Sequence, residues 1–413
     1  MNLDLAWLSL LALFVAIIIS CTTKLNVGVL SAALAWIIGV YFGGFKIDEV
    51  AAGFPVQLFL TLVGVTMLFS QAHINGTLDK LAHKAVLGCR GNAGLIPVMF
   101  FFFGVCLASI GPGNIATAAL LAPIAMAVAG RAGISPFLMA IMVGNGANAG
   151  ALSPFAPTGI IANGIMAKVG MPGLEWRAYL TNVTAHAAVA FGGYALFGGL
   201  RLFRVTYDCQ TDTAPEPFDR NNWLTLGIIV TLIVSVILLK INVGMGAFAA
   251  ATLLALLGAA DHSEAIKKIP WNVIVMVCGV TILIALIEKT NGMALFTDLL
   301  AKVATKNTVT GVIAFITGMI SVYSSTSGVV LPAFLPTVPG LAQQLGGADP
   351  VSIAFSINVG SNLVDVSPLS TIGALCIAAT PAGVDTRRLF NLLLAWGLSM
   401  TVVGALLCLL LFR

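Results

Sequence analysis

Charged side chains are scarce: Asp, Glu, Lys and Arg supply 9% of the 413 residues, whereas 59% are hydrophobic. Soluble domains carry roughly 25% charged residues, so that class is excluded and a polytopic membrane protein is indicated. The formal charge of +4 is too small to argue nucleic-acid binding, and Lys and Arg gather in short loops. Paired cysteines are missing as well. The seven that occur are scattered and never in C-x-x-C spacing, which indicates neither a disulfide framework nor a metal site; they read as packing residues. No G-x-x-x-x-G-K-[ST] loop occurs, so ATP-driven transport is not encoded. A buried Ser/His/Asp set and mirrored carboxylates are both absent, so no enzyme is expected. The first apolar run is no signal peptide by these signs: no basic residue precedes Lys24, Asp4 stands where positive charge belongs, and no small-residue cleavage site follows.

What the chain has in abundance is apolar length. Runs of roughly 17–22 residues, enough for a ~30 Å hydrocarbon core, recur at 3–20, 25–44, 54–71, 136–165, 178–203, 222–239, 241–259, 269–288, 350–380 and 388–411. These runs repeat. LNVG at 25–28 returns as INVG at 241–244, VGVTML at 63–68 as CGVTIL at 278–283, and HING at 73–76 as KTNG at 289–292. GANAGALSP at 146–154 and GSNLVDVSP at 360–368 share G-x-N-x-x-x-x-S-P. Internal repeats of this kind build many transporters.

The expected architecture is all-α, with two inverted-topology repeats of five spans, each containing a re-entrant helical hairpin and an unwound, broken span. The first repeat covers 1–204, with scaffold spans within 3–85, a hairpin at 96–130, a broken span at 136–165 and a last span at 178–203. The second covers 222–413, with scaffold spans within 222–304, a hairpin at 308–345, a broken span at 350–380 and a last span at 388–411. Between them, 205–221 is polar and proline-containing and reads as an exposed linker. Five crossings is odd, which inverts the second half. With both termini outside, twelve Lys and Arg residues, among them Lys24 and Arg90, fall inside, against eight outside, including Lys240 and Arg413. That favours external termini and a cytoplasmic linker.

Each hairpin is broken at its centre. In the first, Ser109-Ile110-Gly111-Pro112-Gly113-Asn114 interrupts arms of about 13–16 residues; in the second, Ser324-Ser325-Thr326-Ser327-Gly328 does so. A full span needs ~20 residues, so two half-length helices with a mid-membrane tip fit better than ordinary spans. Together with 144–158 and 360–371 these make four symmetric interruptions. Non-helical backbone at membrane depth belongs where it lines a cavity or is buried in protein. Helix N-termini there suit an anion, while freed carbonyls, hydroxyls and amides suit a small cation. The interruptions supply Asn114, Asn148, Asn362, Ser109, Ser153, Ser327, Ser367, Thr158, Thr326 and Thr371, and no Lys or Arg. For any single hydroxyl the plainer role is a bond to its own helix; symmetric clustering lifts the set.

Asp365 is the one carboxylate at membrane depth, and its counterpart in the first half is Ala151. It could bind a coupling cation, carry a proton, or cap the half-helix starting near Ser367. His186 reads as a hydrogen-bonded packing residue rather than a relay. Residues 77–90 and 294–306 read as amphipathic helices at opposite membrane surfaces.

This order of elements, with two hairpins and two G-x-N…S-P spans, resembles the divalent-anion:sodium symporter family within the ion-transporter superfamily, most closely its MatC-like malonate and C4-dicarboxylate carriers. The resemblance covers nearly the whole chain. In those relatives each hairpin tip carries a Ser-Asn-Thr signature touching substrate carboxylates and sodium. Counting back from Pro123 and Pro336 puts it on Gly113-Asn114-Ile115 and Thr326-Ser327-Gly328, of which only Asn114 is kept. The resemblance implies a first sodium ion near Ser109, Asn114 and the backbone from Gly144 to Gly146. A second falls near Thr326, Ser327 and the Gly360 backbone. The helix starts after Ser153-Pro154 and Ser367-Pro368 would help hold the anion. It further implies a homodimer in a bacterial inner membrane, working as an elevator.

The expected function is a secondary active transporter importing a small dicarboxylate such as malonate, succinate or malate with a cation, sodium or a proton. A dianion in a site without basic residues needs helix N-termini and a bound cation to balance it. The alternative is an exporter or exchanger of another ion, such as arsenite or sodium/proton. A passive channel is disfavoured, since paired hairpins suggest gates.

Overall fold

The computed structural model describes residues 4–23, 25–87, 89, 91–206, 217–239, 241–323, 325–381 and 384–412. Lys24, Arg90, Lys240, Arg413, Ser324 and the linker positions 207–216 lie outside the described residues. The first half runs through α1 (Leu5–Thr22), α2 (Val27–Trp36, continued by a π-helical turn at Ile37–Phe42), α3 (Ile47–Ala51), α4 (Val56–Ile74) and α5 (Thr77–Leu87). It continues with α6 (Leu95–Ile110), α7 (Gly113–Arg131), α8 (Pro136–Gly150), α9 (Pro157–Lys168) and α10 (Glu175–Leu196). The second half repeats that order: α11 (Arg220–Leu239), α12 (Val243–Leu256), α13 (His262–Lys268), α14 (Trp271–Lys289), α15 (Gly292–Ala301) and α16 (Val309–Tyr323). Then come α17 (Leu331–Phe334), α18 (Val338–Gln344), α19 (Pro350–Leu363), α20 (Thr371–Ala378) and α21 (Thr386–Leu411). Among the described residues there is no strand, only an isolated bridge between Asn92 and Thr206.

Local chemistry sets these boundaries. The asparagine of LNVG and INVG is a helix cap in both halves: Asn26 Oδ1 accepts from Gly28 N at 2.9 Å, and Asn242 Oδ1 from Met245 N at 3.0 Å. Pro136 and Pro350 open α8 and α19 at the position where a missing N–H costs nothing. The described end of the linker is docked rather than free. Lys80 Nζ bonds Pro217 O at 3.3 Å and Asn222 Oδ1 at 2.9 Å. The Asn222 backbone N–H, then Lys80, hold the Asp219 carboxyl below the usual carboxylate range.

Glycine lets the two halves interlock. A Cβ on Gly28 of α2 would lie 2.3 Å from Val275 O of α14, and one on Gly279 would lie 2.0 Å from Gly28 O. The mirror contact joins α4 and α12: a Cβ on Gly64 would meet Gly244 O at 2.4 Å, and one on Gly244 would meet Thr61 Cα at 2.5 Å. Small residues permit such backbone approach between apolar helices.

Two expectations need correction. The broken spans unwind over 151–156 and 364–370, shorter than 144–158 and 360–371, because α8 stays helical through Gly150 and α19 through Leu363. Gly144, Gly146 and Gly360 are helix-packing residues: added Cβ atoms would lie 2.9 Å from Val366, 2.4 Å from Phe101 O and 2.6 Å from Ala314 Cα. Glycine there marks close helix packing, not loss of helix. One hairpin arm is also longer than the expected 13–16 residues: α7 has 19, while α6 has 16. Among the described residues, α4, α7, α14 and α21 are individually long and apolar enough to cross a membrane. The second hairpin's return arm is broken instead into a π turn at Thr326–Val330, α17, a 3-10 turn at Leu335–Thr337 and α18, since Pro332, Pro336 and Pro339 each remove a donor.

Candidate functional site

Glycine shapes both tips and both unwound stretches. Gly111 (φ 146°) and Gly113 (φ 77°) turn the first tip through left-handed backbone that other residues avoid, with Phe69 packed against Gly111. In the broken spans, Gly159 and Gly373 sit where the chain folds back: a Cβ would fall 2.0 Å from Ser153 O and 2.1 Å from Ser367 O. Both close the spacing S-P-x-x-x-x-G, a repeated signal that sequence reading passed over.

Hairpins and broken spans meet around a cavity of about 250 Å³, lined by Asn114, Thr158, Thr326, Ser327, Asp365 and Thr371 among others. Four N-terminal turns converge there, those of α7, α9, α20 and the π turn at Thr326, and the N-terminal end of a helix carries partial positive charge. None of its described lining residues is Lys or Arg, although Lys24, which adjoins Thr23, lies outside the described residues. The scaffold supplies an unforeseen wall, Thr23, Asn26, Asn272 and Met276. Asn26 Nδ2 donates to Asn272 Oδ1 at 2.6 Å and to Asn272 O at 2.9 Å. Asn26 was visible within the repeated LNVG motif; Asn272 carried no sequence signal.

Asp365 does not cap the helix behind it. Its carboxylate meets hydroxyls, with Thr326 Oγ1 at 2.8 Å from Oδ2 and Ser321 Oγ at 3.4 Å from Oδ1. Ser321 and Thr326 also bond each other, and Thr326 Oγ1 lies 3.1 Å from Ser361 O. In the first half, Asn114 Nδ2 donates to Asn148 Oδ1 at 2.8 Å. Asn182 of α10, another residue sequence reading missed, donates to the carbonyls of Asn148 (2.8 Å) and Ala149 (3.2 Å) in the last turn of α8, the former also accepting from Ala151 N at 3.0 Å.

The remaining expected residues stand behind the cavity. Ser109 Oγ donates to Val105 O at 2.6 Å and pairs with Tyr179 Oη at 2.9 Å. Ser153 donates to Ser109 O at 2.6 Å and accepts from Phe155 N; Ser367 accepts from Leu369 N. Neither they nor Pro154 and Pro368 line the cavity. Their place is to brace the unwound turns, as serine does at such bends. Asn362 Nδ2 bonds Asn358 O within its own helix at 2.8 Å. His186 is fully buried with Nδ1 2.9 Å from Asn145 Oδ1, a packing role. Cys278, Cys376 and Cys408 are buried thiols, not disulfides.

A family model described as the dicarboxylate carrier protein MatC N-terminus matches residues 1–151. No curated protein matches the chain. Among solved structures, the YdaH transporter of Alcanivorax borkumensis aligns at 16% identity and a TM-score of 0.61, covering 99% of this chain and 97% of its own. MtrF of Neisseria gonorrhoeae, described within a class of antimetabolite efflux pumps, aligns at 16% identity and a TM-score of 0.53, covering 90% and 83%. Neither neighbour is an enzyme, and neither is presented as a divalent-anion:sodium symporter. Along nearly its whole length the chain has the fold of membrane transporters, and along its first 151 residues it is similar in sequence to a dicarboxylate carrier.

Proposed function

We propose that this protein is a secondary active transporter that moves a small dicarboxylate, of the malonate, succinate or malate kind, together with a cation. The observation carrying this reading is the cavity itself. Four helix N-termini and a ring of amides and hydroxyls suit carboxylate oxygens, and about 250 Å³ is below the ~300–1,000 Å³ of sites for drug-sized ligands. One charged group, Asp365, stands among the described lining residues and has the same sign as the substrate. A cation must then be taken up for the anion to stay. The MatC match over 1–151 supports the substrate class. The matching order of elements in the halves, with reciprocal packing of α2 on α14 and α12 on α4, supports inverted repeats. Broken spans and hairpin tips lining one cavity support a moving transport unit of the elevator type, in a homodimer seated in the lipid bilayer with both termini outside.

Efflux or exchange is the second reading, and the fold shared with MtrF favours it. Uptake of labelled malonate and succinate into proteoliposomes, under an inward sodium gradient, a proton gradient or neither, decides. Sodium-driven accumulation of a diacid is expected, and lost in Asn114→Ala. Accumulation with a proton gradient alone would make the coupling ion a proton. Movement of neither diacid under any gradient would overturn the substrate class and move the exchanger reading ahead.

A further inference from the structure

We infer that each chain holds a single sodium ion, in its second half only, so that a fully ionised diacid crosses the membrane with one net negative charge. This rests on the cation-coupled reading above.

Around Thr326 there are more oxygens than protons. Its hydroxyl has one proton, yet it faces two pure acceptors, Ser361 O at 3.1 Å and Asp365 Oδ2 at 2.8 Å, while Ser321 Oγ approaches both Thr326 and Asp365. Hydroxyls, a helix carbonyl and a carboxylate gathered this way are the donor set of a hard cation. These residues therefore fit sodium: Ser321, Thr326, the Ser361 carbonyl and Asp365 would hold it beside the cavity.

The first half has no equivalent. Gly104 and Gly318 occupy matching places, each facing the backbone of a broken-span helix, at Gly146 and Gly360. That register sets Leu107 opposite Ser321 and Ala151 opposite Asp365, and the tip count sets Gly113 opposite Thr326. All three side-chain ligands are replaced by groups without oxygen. The polar groups expected to hold a first sodium ion are engaged with each other or with the fold. Asn114 bonds Asn148, Ser109 bonds Val105 O and Tyr179, and Gly144 and Gly146 lie within α8.

Charge bookkeeping then follows from the cargo, because fixed protein charges return to their starting place over a cycle. A dianion with one sodium is driven inward by an inside-positive potential and opposed by an inside-negative one. With two sodium ions voltage has no effect; with three the sign reverses.

The test sets potassium diffusion potentials with valinomycin across proteoliposomes at pH 8, with a fixed sodium gradient, and reads succinate accumulation. The accumulation ratio is expected to rise about tenfold for each ~59 mV made more positive inside, the value for a single charge. Labelled sodium binding to the purified protein should reach one ion per chain without sigmoidicity and weaken roughly 10- to 150-fold in Asp365→Asn. A flat or reversed voltage response, or two or more sodium ions per chain, overturns the inference while leaving the transporter reading intact. Absence of diacid uptake under every potential and gradient removes the reading beneath it.

Discussion

Asp365→Asn should weaken sodium-driven accumulation strongly, by roughly one to two orders of magnitude, while leaving the protein folded. The substitution keeps the size and one oxygen of the side chain: Thr326 and Ser321 meet different carboxylate oxygens, so one of them keeps its acceptor and the other can accept from the new amide N–H through its hydroxyl oxygen. What disappears is the negative charge. A hydrogen bond or ligand contact to a charged group contributes about 1.5–3 kcal/mol, which corresponds to roughly 10- to 150-fold in sodium affinity. Uptake measured near the wild-type half-saturating sodium concentration should fall by a similar factor, with size-exclusion profile and melting midpoint close to wild type. Sodium-dependent uptake at wild-type rates in this variant would remove Asp365 from the coupling site.

Gly373→Ala and Gly159→Ala should be strongly damaging methyl additions in the unwound spans. Each new carbon would stand about 2 Å from a carbonyl oxygen of the unwound turn, 2.1 Å from Ser367 O and 2.0 Å from Ser153 O. The obstructing atom is backbone, so no side-chain rotation relieves it. Overpacking of well-filled sites costs about 1–3 kcal/mol, and a clash with backbone belongs at the upper end. The melting midpoint should drop by several degrees, and uptake should be lost because the helix starts at Pro157 and Thr371 are displaced from the cavity. Gly164→Ala, on the same helix as Gly159 with nothing within 4 Å, is the control and should leave both unchanged. Equal behaviour of Gly164→Ala and Gly373→Ala would show that the return of the chain is not held this tightly.

Much of the architecture was legible because membrane helices announce themselves by apolar length and because the halves echo each other. The broken spans appeared from the shared G-x-N-x-x-x-x-S-P, and both tips from their Gly, Pro and Ser content. Legibility failed where one residue type has two uses. Glycines 144, 146 and 360 read as unwound backbone, whereas they let α8 and α19 lie against their neighbours. Ser153 and Ser367 read as anion ligands but bond the turns that carry them. Of the expected site residues, the cavity gathers Asn114, Thr158, Thr326, Ser327, Asp365 and Thr371. Asn272 was out of reach because it meets the cavity through the packing of α14 against α2, a contact between positions 246 residues apart.

The interlock of the halves also governs how the molecule can be made. The groove in α2 at Gly28 is filled by α14, and the groove in α4 at Gly64 by α12, so the first half leaves the ribosome with both faces bare. They stay bare until the partner helices have been synthesised, since Gly244 stands 180 positions after Gly64 and Gly279 stands 251 positions after Gly28. During that interval lipid or the insertion machinery must occupy the faces. Assembly is thus a late event, completed across the chain, and the two halves mature as one unit.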